Sequence, residues 1–308
     1  MRDYKSLNSK FAVGLLWGVL GLTSCHSSPT DSLNLVNHFE VHAHRGGAAQ
    51  KPENSLAAFQ CAVGKVGVDA IELDIHQTLD RVLIVNHDPT INPKICLSPK
   101  GKTIQKPAVI SEMTYAEVRK FDCGTLVGLP AKTSLPTLDE VFELVEKTTP
   151  VSGNQVNYDI HVKWDPKTIP ASEYAQLIMN SVVKFGLLSR VTFMNDFPEF
   201  LFAARKLEVS LNLYYLVAEV TQTILDDATK ARVNALVMYG PLVNQTLVGE
   251  IHKSGFQIIP FGANNSIYWD SLIKLGVDGI LTDDPLGLKQ FLNTHSLSPN
   301  VNSGTIGS

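Results

Sequence analysis

The chain has 308 residues and a net charge of −4 at neutral pH, with 44% hydrophobic and 18% charged residues. This composition is typical of a globular protein with a sizeable core, in one large domain or two ordinary ones. The sequence has no block of like charges and no basic stripe interleaved with aromatic residues, so it lacks the usual features of a protein with a nucleic-acid partner.

Residues 1–25 have the features of a secretory signal peptide. Basic residues at the start are followed by an uncharged apolar run, FAVGLLWGVLGL, which is short for a membrane span. The run leads into LTSC, which resembles a bacterial lipobox and predicts lipidation at Cys25. The alternative is an ordinary signal peptide with an incidental cysteine. We expect an exported protein held by a lipid anchor at the periplasmic face of a membrane or at the cell surface, with a polar linker over residues 26–37.

Residues 38–292 alternate between strand-like and helical runs. The strand candidates are FEVHAH, DAIELDI, QVNYDIHV, RVTFMN, VSLNLYYL, NALVMY, FQIIPF and VDGILT. The helix candidates are SLAAFQCAVGKV, LDEVFELVEKT, SEYAQLIMNSVVKFG, PEFLFAARKL, TQTILDDATKA, VNQTLVGEIHKSG and SIYWDSLIKLG. Eight such units predict a single TIM (β/α)₈ barrel. A doubly wound open sheet is the alternative, but it does not need eight comparable units. The tail, residues 293–308, is predicted to be disordered.

The second strand is followed at once by another strand-like run, VLIVNH. The connection is too short for a crossover helix, so this run is expected to return antiparallel as a hairpin. A turn centred on residues 78–81 places Asp74 almost opposite His87. The next segment, about residues 88–135, is rich in Pro, Lys, Gly and Thr with one short helix near TYAEVRKF. We interpret it as an insertion over the barrel mouth.

The three cysteines after Cys25 are assigned from their surroundings. Cys96 and Cys123 lie in the insertion, and export to an oxidising compartment favours a disulfide between them. Cys61 falls within a helix candidate and is expected to be buried as a small hydrophobic residue. Their spacing does not indicate a zinc site.

Titratable side chains gather at the predicted carboxyl ends of the strands, which meet at one mouth of such a barrel. They are His44, Arg45, Glu72, Asp74, His87, Asp88, Asp159, His161 and Lys163. Paired carboxylates suit a hard divalent cation, and Arg45 and Lys163 suit an anionic substrate. Two histidines can act as acid and base on a phosphoester. Each pair of titratable residues, taken alone, has an ordinary structural explanation. An alternating E-x-D, for example, is often the solvated face of a strand.

The sequence resembles the glycerophosphodiester phosphodiesterase family over nearly the whole chain after residue 37. The matching motifs are HRG at 44–46, PENSLAAF at 52–59, IELD at 71–74, HDPT at 87–90, LPTLDEV at 135–141 and GVDGILTDDP at 276–285. Each motif is modest, but their order and spacing together are specific. An insertion after the histidine-bearing hairpin is also a feature of that family.

The resemblance implies a mechanism. His44 and His87 would form an acid–base pair, Arg45 would hold the phosphate, and Glu72 and Asp74 would bind Ca²⁺ or Mg²⁺. The glycerol 2-hydroxyl or a water would attack phosphorus, and the products would be an alcohol and glycerol 3-phosphate. A phospholipase D acting on lysophospholipids and a lipoprotein that binds a phosphate or headgroup without turnover are the alternatives.

Three departures from the family pattern concern the site. The family's I-E-x-K segment reads Ile160-His161-Val162-Lys163, so a histidine stands where the third metal-binding glutamate is usual. An imidazole ligand removes one negative charge and favours Mn²⁺ more than glutamate does. Asp159, one pleat earlier, is a candidate replacement ligand. W-T-V-N reads Phe261-Gly262-Ala263-Asn264, and S-F-D reads Met194-Asn195-Asp196. We expect Phe261 and Asn264 to contribute to the substrate pocket.

Overall fold

The computed structural model describes residues 39–106 and 108–295, in which nine strands form one sheet. Eight parallel strands close into a ring, because the first strand pairs with both the second and the last. The strands are β1 (Glu40–Ala43), β2 (Ala70–Gln77), β3 (Leu83–Val85), β4 (Asn157–Val162), β5 (Val191–Asn195), β6 (Asn212–Leu216), β7 (Ala235–Tyr239), β8 (Gln257–Phe261) and β9 (Gly279–Thr282). The predicted TIM-like (β/α)₈ barrel is confirmed.

Most helices lie around the outside of the ring, and one short helix lies in the insertion that follows β3. They are α1 (Leu56–Cys61), α2 (Tyr115–Val118), α3 (Leu138–Lys147), α4 (Ala171–Phe185), α5 (Pro198–Leu207), α6 (Gln222–Ala231), α7 (Gln245–Lys253), α8 (Ser266–Leu275) and α9 (Pro285–Thr294). Helix α3 begins with a capping box, in which Thr137 and Glu140 each accept the other's backbone N–H. Helix α9 was not among the predicted helices, although its Asp284 cap and Pro285 are typical of a helix start. It also extends through Thr294, into the predicted tail.

Strand β3 returns antiparallel along the carboxyl-terminal half of β2, as the short connection predicted. Ile75 lies opposite Val85, and the Asn86 backbone N–H donates to the Asp74 carbonyl oxygen at 3.0 Å. The residue opposite Asp74 is therefore Asn86, and His87 lies one position further along. The hairpin still carries His87 to the barrel mouth.

The insertion after β3 has a small hydrophobic core of its own. Its buried side chains are Ile84, Ile91, Cys96, Ile110, Val118, Cys123 and Leu135. A disulfide joins Cys96 to Cys123, the pair that the sequence analysis selected. Cys61 at the end of α1 is a free, partly exposed cysteine, so the expectation that it is buried was wrong. A π-helical turn over Ala62–Val66 follows it.

The barrel interior has an apolar half and a polar half. The apolar side chains come from β5–β9 and are Met194, Tyr214, Ala235, Val237, Ile259 and Leu281. The polar side chains on β1, β2 and β4 are His42, Glu72, Asp74, Asp159 and His161. On β2 the alternate positions Ile71, Leu73 and Ile75 face the helices instead, in the main hydrophobic core. This alternation places the ionisable groups of three adjacent strands in one half of the barrel.

The predicted signal peptide with Cys25, the predicted linker and residues 296–308 of the predicted tail lie outside the described residues. Within residues 39–106 and 108–295, none of the helices combines the length and apolar composition that crossing a membrane requires.

Candidate active site

A cavity of about 210 Å³ opens at the carboxyl end of the barrel. Its lining residues are His44, Arg45, Glu72, Asp74, His87, His161, Lys163, Met194, Leu216, Val237, Phe261 and Leu281. The structure thus brings together the predicted acid–base, phosphate and metal residues and Phe261. Asn264 and Asp159 are not among the residues that line this cavity.

The backbone turns sharply where β1 ends. Arg45, Gly46 and Gly47 all have positive φ, with values of 51°, 81° and 88°. A Cβ at Gly46 would come within 2.9 Å of both Ala58 Cβ and Phe59 Cδ1, so only glycine fits against α1. The turn points the Arg45 backbone N–H into the cavity, where it donates to Glu72 Oε2 at 2.8 Å.

The Arg45 side chain is held by carboxylates on both sides. Its Nη1 donates to Glu53 Oε2 at 2.9 Å, and its Nε lies 3.6 Å from Asp74 Oδ2. Asn54 supports the same carboxylate by donating from Nδ2 to Asp74 Oδ2 at 2.9 Å and accepting the Asp74 backbone N–H at 3.2 Å. Arg45 is therefore oriented at the cavity before any substrate enters.

Glu72, Asp74 and His161 each offer one ligand atom, and these atoms lie within 4.8 Å of one another. The Glu72 Oε1 atom is buried and accepts no hydrogen bond within the described part of the chain. A buried carboxylate oxygen without a donor is unfavourable unless a cation satisfies it. The donor set of two carboxylates and one imidazole therefore fits a divalent metal ion.

The two carboxylates of this cluster differ in charge. Burial, and then the neighbouring charge of Asp74, raise the pKa of Glu72 to about 8. Burial also acts against ionised Asp74, but its contact with His161 and the Lys163 charge outweigh burial and hold the pKa of Asp74 well below its usual range. Without a metal, Glu72 therefore carries a proton at neutral pH while Asp74 is ionised. A bound cation would replace that proton.

His161 lies 3.1 Å from Asp74 Oδ1 and 3.9 Å from Glu72 Oε1, measured from its Nδ1. Burial and the Lys163 charge lower the pKa of His161, although Asp74 acts in the opposite direction. The imidazole is therefore neutral at physiological pH, and neutral imidazole is the form that binds metals. Lys163 Nζ lies 3.0 Å from both His161 Nδ1 and Asp74 Oδ1, so its charge is at the centre of the site.

His44 is paired with a residue from the opposite end of the chain. Its Nδ1 lies 2.6 Å from Asp283 Oδ1, just after β9. Burial alone would lower the pKa of His44, but the hydrogen bond with Asp283 helps to raise it overall. Asn264 donates from Nδ2 to Asp283 Oδ2 at 2.6 Å and accepts the Asp283 backbone N–H. Asn264 therefore acts on the carboxylate behind His44 rather than on the cavity.

His87 reaches the site from the hairpin. Its Nδ1 lies 2.9 Å from Asp88 Oδ1, and its carbonyl oxygen lies 3.1 Å from His76 Nε2. Burial lowers the pKa of His76 to about 4, so His76 is neutral and can donate this hydrogen bond. Each of the two predicted acid–base histidines thus has a carboxylate on its Nδ1 nitrogen, an arrangement that orients the other ring nitrogen.

Asp159 is not a member of the metal cluster. Its Oδ2 lies 2.6 Å from His42 Nδ1, one layer deeper in the barrel than His161. Glu72 is the register partner of Asp159 on β2, so depth alone does not separate Asp159 from the cluster; its carboxylate is instead engaged by His42 and supplies no ligand atom to the group of Glu72, Asp74 and His161. The suggestion that Asp159 replaces the missing carboxylate ligand was therefore wrong.

Sequence reasoning assigned no role to Glu53, Asn54 or Asp283. All three lie in segments that were noted for the family resemblance, PENSLAAF and GVDGILTDDP. Nothing in the local pattern shows what they contact, because Asp283 and His44 are 239 positions apart. Only their position within those family-like segments indicated that these three residues belong to the site.

Known proteins resemble the chain over the whole barrel. Residues 44–286 match the Glycerophosphoryl diester phosphodiesterase family. A glycerophosphodiester phosphodiesterase of Caldanaerobacter subterraneus subsp. tengcongensis is 28% identical over 248 residues, which cover 80% of this chain and 94% of that one. Lysophospholipase D GDPD1 of Mus musculus is 23% identical over 280 residues, 82% of this chain and 86% of its own. An Oleispira antarctica phosphodiesterase in complex with the product sn-glycerol-3-phosphate shares the fold with a TM-score of 0.71, at 19% identity over 82% of this chain and 96% of that one. Because the family match spans most of its length and all the cavity residues described above, the chain belongs to the glycerophosphoryl diester phosphodiesterase family.

Proposed function

We propose that the protein is a metal-dependent glycerophosphodiester phosphodiesterase that releases an alcohol and glycerol 3-phosphate. The observation that carries this proposal is the single cavity shared by two carboxylate-paired histidines, two basic side chains and a three-residue metal cluster. Cleavage of a phosphodiester needs an acid–base pair, cationic groups that hold the phosphate and a metal ion. The site supplies the residues for all three within one small cavity.

The metal would be held by Glu72, Asp74 and His161. When bound there, a divalent cation offsets the negative charge of the phosphate and the charge that develops at phosphorus. Calcium, magnesium and manganese all suit two carboxylates, and His161 favours manganese more than a third carboxylate would.

The chain's own residues perform binding and proton transfer. Arg45 and Lys163 hold the phosphate oxygens. One histidine of the His44–His87 pair takes the proton of the attacking hydroxyl as the new P–O bond forms, and the other gives a proton to the departing alcohol as the old P–O bond breaks. Attack by water yields glycerol 3-phosphate directly. Attack by the glycerol 2-hydroxyl yields a cyclic phosphate, which water then opens.

A panel of glycerophosphodiesters and lysophospholipids, each assayed with calcium, magnesium and manganese, tests the activity. We expect metal-stimulated release of glycerol 3-phosphate that chelation abolishes. Binding of the same compounds without turnover under every metal would identify a binding protein instead.

Lysophospholipase D action is the second candidate. The relative from Mus musculus carries that name, and the apolar wall of the cavity contains Phe261, next to the partly exposed Tyr239 ring at 5.7 Å. A lysophospholipid presents an acyl chain that such a wall can contact. The panel separates the two activities by their relative kcat/KM.

We also propose export and lipid anchoring through Cys25. The support is the basic start, the apolar run and the LTSC segment. Mass spectrometry of membrane-extracted protein should find an acylated amino-terminal Cys25. A mature amino terminus elsewhere would exclude the anchor.

A further inference from the structure

A second cavity adjoins the active site on the side of the hairpin. It has a volume of about 390 Å³ and shares His87 and Lys163 with the smaller cavity. A diester with its phosphate between Arg45 and Lys163 therefore has one substituent among the apolar residues around Phe261 and can extend the other past His87. We call this second cavity the hairpin cleft.

Aromatic rings line the hairpin cleft. Trp164 and Phe197 both contact it, and their ring centroids lie 5.7 Å apart in an edge-to-face arrangement. The indole Nε1 of Trp164 donates to the Ile169 carbonyl oxygen at 2.8 Å, which fixes the ring. Phe197 is 40% exposed, so part of its ring is open to the cleft. Fixed and partly exposed rings offer a preorganised surface to a cation.

The charge of the hairpin cleft is opposite to that of the phosphate site. Asp165 and Asp196 line it, and both are exposed. Among the described lining residues Lys163 is the single lysine or arginine, and its Nζ lies 3.0 Å from Asp74 Oδ1 on the metal side. The two ends of the combined site therefore match a zwitterion, with an anion beside Arg45 and a cation beyond His87.

We propose that the hairpin cleft binds the headgroup alcohol of the substrate and selects headgroups that carry a quaternary ammonium, such as choline. This inference rests on the proposed phosphodiesterase function and specifies its substrate class. Aromatic faces with nearby carboxylates are the usual means of binding such a cation, since a quaternary nitrogen donates no hydrogen bonds.

The test compares two substrates that differ only in charge. Glycerophosphocholine is assayed against its 3,3-dimethylbutyl analogue, in which carbon replaces the quaternary nitrogen and the shape is kept. We expect kcat/KM for the choline ester to be higher by about tenfold. This is the rate difference that a partly exposed cation–π contact with nearby carboxylates produces. Comparable kcat/KM values would overturn the proposal, and cleavage of both esters would leave the phosphodiesterase function standing. If neither ester is cleaved with any metal, the proposed function itself fails.

Variants locate the effect in the cleft. Asp165→Asn, which is isosteric, and Phe197→Ala should each lower the choline-to-isostere ratio of kcat/KM at least threefold, the loss of part of that contact. Asp226→Asn, a matched change at an exposed position on α6, should keep the wild-type ratio. If Phe197→Ala does not fold, Asp165→Asn alone decides. An unchanged ratio in Asp165→Asn, or an equal fall in Asp226→Asn, would contradict the assignment.

Discussion

His42 Nδ1 lies 2.6 Å from Asp159 Oδ2 in the barrel interior, where the two side chains are 1% and 4% exposed. The other ring nitrogen of His42 lies 3.1 Å from Glu40 Oε2. Burial disfavours a charged imidazole, but the two carboxylates outweigh burial and raise the pKa of His42 to about 10. The pair joins β1 to β4 below the metal cluster, so it supports both strands that flank β2.

This ion pair should make stability depend on pH above neutrality. The pKa of His42 is higher in the folded protein, about 10, than its ordinary value of 6.5, so its contribution is complete below pH 6.5 and is lost as pH rises towards 10. We expect the free energy of unfolding, measured in urea, to fall across this window. The neutral double variant His42→Gln/Asp159→Asn should show a smaller fall. Equal pH slopes in the two proteins would contradict the assignment.

His44→Ala and His87→Ala should each lower kcat by about 10²- to 10⁴-fold, the usual effect of removing a general acid or base. Their melting temperatures should change little, because both side chains are partly exposed at the mouth. His252→Ala is the matched control. This histidine also pairs with a carboxylate, Asp278 at 2.8 Å, but on the outer helix α7. A similar loss of kcat in His252→Ala would contradict the assignment of His44 and His87 as the acid–base pair.

The pH profile of kcat/KM should be bell-shaped, since one histidine must be neutral while the other is charged. Asp283 raises the pKa of His44, so Asp283→Asn should move the limb that reports His44 to lower pH. If both limbs stay where they are, His44 does not contribute to the profile.

Metal binding should stabilise the protein more at pH 8.5 than at pH 5. The pKa of Glu72 is raised to about 8 without metal, so at low pH a cation must displace the Glu72 proton. Differential scanning calorimetry with manganese or with chelator measures the difference in melting temperature at each pH. Glu72→Gln should remove most of the metal effect at both values. A metal effect that survives in this variant places the ion elsewhere.

His161→Glu should shift metal preference towards calcium and magnesium and away from manganese and zinc. The change restores a third carboxylate, and calcium affinity follows the charge of its ligands, so the ratio of dissociation constants should move by about tenfold or more. Isothermal titration calorimetry measures it without any turnover. His161→Gln, which has neither imidazole nor charge, should weaken manganese binding and leave calcium unimproved. Unchanged preference in His161→Glu means that His161 is not a ligand.

Loss of the disulfide should destabilise the protein by about 3.5 kcal/mol, the chain-entropy value for a loop closed across 27 positions. Cys96→Ser/Cys123→Ser tests this in urea unfolding, and activity should fall as well because the insertion follows the hairpin that holds His87. Cys61→Ser should have little effect on either measurement. A double variant as stable as the wild type would show that the small insertion core needs no covalent closure.

The sequence alone predicted the barrel because eight strand-helix units each leave a periodic pattern. It predicted which residues share a face, as with Glu72 and Asp74, because side-chain direction alternates along a strand. It did not predict the contact with His42 that engages the Asp159 carboxylate away from the metal cluster. It also did not predict partners brought together by ring closure, such as His44 and Asp283.

Arg45 stands at the first of three successive left-handed positions, where the backbone alone favours glycine. An ordinary residue in that conformation costs about 1 kcal/mol, and here the chain accepts the cost at the residue proposed to hold the phosphate. Glycine at position 45 would relieve the backbone but would also remove the ion pairs with Glu53 and the buried Asp74. The same carboxylates that orient the Arg45 side chain therefore also offset the strain of its backbone, so selection for heat resistance alone should not replace this arginine.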